Sequence, residues 1–247
     1  MKILGIIPAR GGSKRLPSKN ILKLVNQPLI SYTINAAKNS KLINKIILST
    51  DSKKIAKLYN SEGINLPFLR PKNLAQHNTP IIKVIEHTLS YLKKNENYEP
   101  DIIILLQPTS PFRTSQMIDK SIQLLIESRA SSVVSVTKTK IHPAYYYNYK
   151  KNYLTPYNLI VNHNYIQKTS EVYIPTGSIY TFWNKTLKKY NSIYGPKIKP
   201  LFMNNIETID IDDIFDFFVS NMIILHWKKF KQKHKTRKIT KVKSVKK

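Results

Sequence analysis

The sequence predicts an α/β fold: a doubly wound, mostly parallel sheet with a small insertion. Apolar runs of strand length, at residues 2–8, 45–50, 101–106 and 132–137, alternate with segments of helical period. The runs at 2–8 and 101–106 carry Ile and Leu on both faces, as strands covered on both sides do. The rhythm fails over 141–171, a tyrosine-rich stretch with few helix signals, so an insertion is expected there.

In chain order, the first strand ends at Pro8 and enters a loop, Ala9-Arg10-Gly11-Gly12-Ser13-Lys14-Arg15-Leu16-Pro17-Ser18-Lys19-Asn20. Residues 21–24 read as short and extended. Pro28 begins a helix through Lys38, with Leu29, Ile30, Ile34 and Ala37 on one side. After the strand at 45–50, Asp51 or Ser52 can cap a helix running to about residue 60. A third strand is expected at 65–69, and 70–79 has no period. Pro80 opens a helix to residue 94. The strand at 101–106 runs into a proline-stiffened loop, Gln107-Pro108-Thr109-Ser110-Pro111, before a helix at 114–128.

Beyond the insertion, regular structure resumes at 178–182. A strand is expected over 207–213, then an apolar helix over 214–227. These readings divide the chain into an α/β part (1–140), an insertion (141–175), a return to the α/β part (176–227) and a basic tail (228–247). The tail holds eleven Lys and Arg and no acid, so it lacks the apolar surface needed to offset the entropy of ordering.

The 247 residues can bury a sizeable core, and 41% hydrophobic content is that of a globular chain. There is no cysteine, which excludes disulfides and thiolate chemistry. No run approaches the roughly 18 apolar residues of a membrane span, and the first strand is too short for a signal peptide. A soluble, cytoplasmic protein is expected. The formal charge of +27 attracts nucleic acid, anionic membrane or anionic substrates alike. A proteome-wide drift toward Lys, Asn and Ile accounts for it equally well. A basic polyanion-binding protein is therefore one functional alternative, and the tail offers nonspecific polyanion contact.

Two stretches carry chemistry. In the first loop, Arg10, Lys14, Arg15 and Lys19 follow a strand and a glycine pair, and small residues admit backbone N–H groups close to a ligand. This pattern suits a polyphosphate; it also suits an ordinary glycine turn with solvated lysines. It is neither a Walker loop nor a GxGxxG turn. The second stretch is Ile209-Asp210-Ile211-Asp212-Asp213. On a strand, Asp210 and Asp212 face one side and Ile209 and Ile211 the other. Paired carboxylates repel unless a cation lies between them, and Mg²⁺ commonly binds one or two carboxylates plus phosphate oxygens. A solvated acidic turn with Asp213 capping the next helix is the competing reading.

Ile7-Pro8-Ala9-Arg10-Gly11-Gly12-Ser13-Lys14, with Leu16-Pro17 and Lys19-Asn20, resembles the signature of the acylneuraminate cytidylyltransferases, the CMP-sialic acid synthetases. Leu105–Thr114 is similar to their LLQPTSPLR motif, and Leu69-Arg70-Pro71 with Leu74-Ala75 to their LRP..LA segment. Ser49-Thr50-Asp51, His142-Pro143, Gly177-Ser178-Ile179-Tyr180 and the Ile-Asp-Ile-Asp element match further motifs. The resemblance spans roughly 1–225 and implies a nucleotide-diphospho-sugar transferase-like fold, a homodimer, and transfer of CMP from CTP to a nine-carbon 2-keto sugar acid. It implies nucleotide binding by Ala9, Arg10, Gly11, Gly12, Lys14, Lys19, Asn20, Arg70 and Thr79. It implies substrate binding by Gln107, Arg113 and Tyr180, metal binding by Asp210 and Asp212, and catalytic roles for Arg10, Lys14 and Asp210.

The chain also departs from the pattern. His77 stands where the family often has Asp, Ile174-Pro175-Thr176-Gly177 where many members have RPNG, and Ile166-Gln167 where they have RQ. Those arginines belong to recognition of the acid, and Lys168 is a candidate replacement. A related transferase with another acid or nucleotide is thus a further alternative.

Overall fold

The computed structural model describes residues 1–59, 64–157 and 171–233. Its centre is a six-stranded sheet of order β10-β6-β9-β5-β1-β4. These strands are β1 (Ile3–Pro8), β4 (Lys45–Ser49), β5 (Ile102–Leu106), β6 (Ser132–Lys138), β9 (Tyr173–Trp183) and β10 (Ile198–Phe202). β1 pairs in parallel with β4 and β5, and β10 with β6. β9 runs antiparallel to both β5 and β6. It is reached through the insertion, so no right-handed helical crossover constrains its direction.

Both faces of the sheet are covered. Ile3 and Ile7 of β1, with Ile102, Ile104 and Leu106 of β5, join one cluster with α1 (Leu29–Lys38) and α4 (Ser115–Ser128). Leu4, Ile6, Ile103 and Leu105 join the other, with α3 (Ile81–Glu96) and α5 (Asn184–Tyr190). The alternation explains why both strands read as continuous apolar runs. A third cluster gathers Leu16, Leu24, Leu29 and Ile211 beneath α6 (Ile214–Lys233).

Helix boundaries follow local chemistry. Ser52 Oγ accepts from Ile55 N–H at 3.3 Å and so caps α2 (Lys53–Tyr59). Thr114 caps α4 through Met117 N–H. At α6, Asp213 Oδ1 accepts from Asp216 N–H at 2.9 Å while Asp216 Oδ2 accepts from Asp213 N–H at 3.2 Å, a reciprocal cap. Pro28 and Pro80 sit just outside α1 and α3, as their N-caps.

Several expectations are corrected. Residues 65–69 form no strand; they touch the sheet through isolated bridges, Ile47 to Asn65 and Thr50 to Leu69. Residues 207–213 form a turn and a loop, although their sequence alternates as a strand would. Ile211 N–H bonds to Thr109 O at 2.8 Å, which attaches this loop to the 107–111 loop and not to a sheet edge. α6 continues to Lys233, past the boundary expected at 227, and residues 234–247 lie outside the described residues. β9 rejoins the sheet at Tyr173, ahead of the return expected at 176. Within 141–157 the insertion forms a hairpin of β7 (Tyr147–Lys150) and β8 (Tyr153–Pro156), which among the described residues is a two-stranded sheet of its own. A second small ribbon joins β2 (Lys23–Leu24) to β3 (Gln27–Pro28).

β9 is broken by a bulge. Tyr180 pairs with Val134 but Pro175 pairs with Val136, so the strand gains residues between these points. Gly177 lies in the bulge at φ +77°, a conformation that L side chains rarely adopt. Ser135 fills the gap: its Oγ accepts from Ile179 N–H at 2.9 Å and from Thr176 Oγ1 at 2.7 Å. Among the described residues no helix is long and apolar enough to cross a membrane.

Candidate functional site

The loops after β1, β4 and β5 open on the carboxyl edge of the parallel strands, where ligands of such sheets bind. They surround a cavity of about 520 Å³. Arg10, Lys14, Arg15, Lys19 and Arg70 give it five cations, and Asp210 and Asp212 close its far side. Thr79, Gln76 and His77 form another wall.

The loop holds its shape through its own polar groups. Asn20 Nδ2 donates to Arg10 O at 2.9 Å, closing the turn. Ala9 is buried, with its N–H on Ser49 O at 2.9 Å. Gly11 N–H is bound by Asp51 Oδ1 at 2.9 Å, so this donor is not offered to a ligand. Gly11 is required for a different reason: a Cβ there would lie 2.8 Å from Ser52 Cβ. Gly12 faces open space. The loop thus presents cations in place of a Gly11 N–H cradle, and Asp51 serves the turn while Ser52 caps α2.

Arg70 is buried, and its Nη2 donates to Ser49 O at 2.5 Å. Burial lowers its pKa to about 10; Asp51 opposes the shift and Arg10 adds to it. Arg10 and Arg70 therefore repel across a cavity that an anion would neutralise. Thr79 Oγ1 donates to Asn73 O at 3.4 Å and stays on the wall.

Lys19 Nζ donates to Ile211 O at 2.6 Å and to Asp212 Oδ1 at 3.2 Å. Asp212 Oδ2 takes Arg15 Nη2 at 2.9 Å, so both its oxygens hold cations. Asp210 differs: its Oδ1 is buried without a hydrogen-bond partner. Burial raises its pKa, Thr109 lowers it, Asp212 raises it and Lys19 lowers it. Among the described residues no group of three or more His, Cys, Asp or Glu gathers to hold a metal. The donor set is the two carboxylates, of which Asp210 has the free buried oxygen.

Gln107 and Asp210 also wall a second cavity of about 480 Å³, with Thr137, Thr176, Tyr180 and Thr208. Burial, with Tyr194 beside it, pushes the Tyr180 phenol up to about 12, so it stays a neutral hydroxyl. Arg113, expected to touch substrate, lies behind this wall and not on it. It is buried, with Nη1 on Ser178 O at 2.6 Å and Nη2 on Thr33 Oγ1 at 2.5 Å and Gln107 O at 3.0 Å. Burial lowers its pKa to about 9 against the pull of Asp210. Its place is to fix the Gln107 and Gly177 loops. Arg15, one of the four cations of the loop, lines the first cavity as that pattern suggests; Thr208 is a cavity residue that sequence reasoning did not single out, and no signal marks it. His142 Nδ1 accepts from Ala144 N–H at 3.2 Å and caps the turn at Pro143–Tyr145. Ile166, Gln167 and Lys168 lie outside the described residues.

A basic cavity at the carboxyl edge of a doubly wound sheet, joined to a second cavity through a carboxylate, suits a phosphate-bearing ligand held beside a second one. Residues 4–211 match the sequence profile described as Cytidylyltransferase, and the chain belongs to that family. It is 35% identical to a CMP-N,N'-diacetyllegionaminic acid synthase of Legionella pneumophila over 91% of this chain and 97% of the relative. It is 34% identical to an N-acylneuraminate cytidylyltransferase of Escherichia coli, over 94% of this chain and about half (54%) of the longer relative. A pseudaminic acid cytidylyltransferase of Campylobacter jejuni is 29% identical over 87% of this chain and 93% of its own length. The fold is also that of a CMP:2-keto-3-deoxy-manno-octonic acid synthetase solved with CTP, with TM-score 0.66 and 15% identity over 91% of this chain and 99% of the other.

Proposed function

We propose that the protein transfers CMP from CTP to a nine-carbon 2-keto sugar acid, releasing pyrophosphate. The observation that carries this reading is the meeting of two cavities at Gln107 and Asp210, one rich in cations and one with none among the described residues. CTP fits the first, its triphosphate against Arg10, Lys14 and Arg70, its base toward Gln76, His77 and Thr79. The sugar acid fits the second, its anomeric hydroxyl near Asp210.

In the reaction the anomeric oxygen forms a bond to the α-phosphorus as the bond to the β-phosphate oxygen breaks. Arg10 and Lys14 stabilise charge on the departing pyrophosphate, and the hydroxyl proton passes to the Asp210 carboxylate. Mg²⁺ fits the unpartnered Asp210 oxygen together with Asp212, once the half-exposed Arg15 contact gives way. When bound, such an ion neutralises phosphate charge. Arg113 and Lys19 hold the loops in register.

The protein acts as a homodimer in this reading. Support comes from the exposed Tyr147, Tyr149, Tyr153 and Leu154 of the hairpin, and from Phe215, Phe218 and Leu225 on the outer side of α6. A monomer by sedimentation at micromolar concentration would remove this part. Pyrophosphate release measured across the four nucleoside triphosphates and several sugar acids tests the whole: acid-dependent, CTP-selective release supports it, and absence of release with every combination overturns it.

A further inference from the structure

The second cavity continues into a hollow of about 300 Å³, and Thr137, Ile174 and Thr208 border both. Ile141, Tyr146 and Ile174 give the hollow its apolar wall; Asn205, Thr137 and Thr208 give it neutral polar groups. Ile174 lies opposite Thr137 in the β6–β9 ladder, on the outer side of the bulge, and is 44% exposed. Lys138 and Lys140 also border the hollow, and Lys138 Nζ is engaged with Glu171 at 2.5 Å.

We propose that this hollow is a subsite for the far arm of the sugar acid, with Ile174 selecting an arm that carries an acylamino group or a methyl terminus over a polyhydroxylated one. The inference rests on the sugar-acid reading above. The reacting hydroxyl lies by Asp210, so the rest of the molecule extends away from the nucleotide, through the second cavity, toward Ile174. There an amide can meet Asn205, Thr137 or Thr208 while its methyl covers Ile141, Tyr146 and Ile174. Hydroxyls placed against Ile141, Tyr146 and Ile174 would lose water without gaining partners from those side chains. One apolar contact of this kind is worth about tenfold or more in discrimination.

The test compares two acids with CTP as common co-substrate: N,N'-diacetyllegionaminate, with two acetamido groups and a terminal methyl, and N-acetylneuraminate, with one acetamido group and a hydroxylated arm. The wild type should favour the first in kcat/KM by about tenfold or more. Ile174→Asn should shrink that ratio about tenfold, mainly by slowing the diacylated acid, with KM for CTP unchanged. Ile141→Asn, at a more exposed position, should move the ratio the same way and guards against a folding defect in the first variant. A wild-type preference for N-acetylneuraminate, or a ratio unmoved in both variants, overturns the subsite while leaving the cytidylyltransferase reading intact. Absence of pyrophosphate release with any sugar acid overturns that reading, and the subsite with it.

Discussion

Lys19 Nζ donates to the carbonyl of Ile211 at 2.6 Å, joining residues 192 positions apart in the chain. The contact couples the cationic loop to the acidic one, and Ile211 is anchored beside it among Leu16, Leu24 and Leu29. Lys19→Met removes a charged donor from a half-buried carbonyl, and losses of about 1–3 kcal/mol are expected for such a bond. Turnover should fall with it, because the Asp210 loop loses its tether. Arg15→Met removes only an exposed bridge and should leave the melting temperature unchanged. Thermal melts of both variants decide: equal stability of the two would refute the coupling.

Gly11→Ala places a methyl 2.8 Å from Ser52 Cβ, against the start of α2. Overpacking of this kind costs about 1–3 kcal/mol. Adding Ser52→Gly should relieve part of that loss despite removing the α2 cap, so the double variant should be less destabilised than the sum of the singles. Additive losses in urea titrations would point to some other cause.

Asp210→Asn keeps the shape of a buried side chain and removes its charge. Turnover should drop by about a hundredfold or more if the carboxylate accepts the proton and holds Mg²⁺. Chelation of divalent ions should abolish turnover of the wild type and have little further effect on the variant. Full activity in either experiment would exclude these roles.

Truncation after Lys233 leaves α6 whole and removes only residues 234–247. The CTP-dependent rate and melting temperature should persist, while salt-sensitive binding to RNA or anionic vesicles should weaken. Loss of turnover would mean that the tail contributes to the site.

The strands β1 and β5 were legible in the sequence because both their faces are covered, which makes them apolar throughout. β10 was not: it is an edge strand containing Lys199 and Pro200, with Ile198 and Phe202 exposed. Residues 207–213 misled for a physical reason. Alternating Ile and Asp describe an extended segment, and only tertiary contacts, from Thr109 and Lys19, decide whether it joins a sheet. The cationic loop, Gln107 and Asp210 were legible as a group. Arg113 shows the limit, since its motif places it near the site but cannot say which side of the wall the guanidinium occupies. The bulge in β9 left its mark only as a glycine in the wrong place for a regular strand.

That bulge divides one strand into two heritable parts. Inward of it, Ile179 and Phe182 are locked in the core and Ser178 O anchors Arg113, so change there puts folding at risk. Outward, Tyr173 and Ile174 are partly exposed; Tyr173 meets Glu171 and Phe202, and Ile174 borders the neighbouring hollow. With Ser135 sealing the break, variation on the outer side is insulated from the fold. On the proposed reading, a change of acid would need substitutions only at the end of β9, with the cavity of Arg10, Lys14 and Arg70 left as it is.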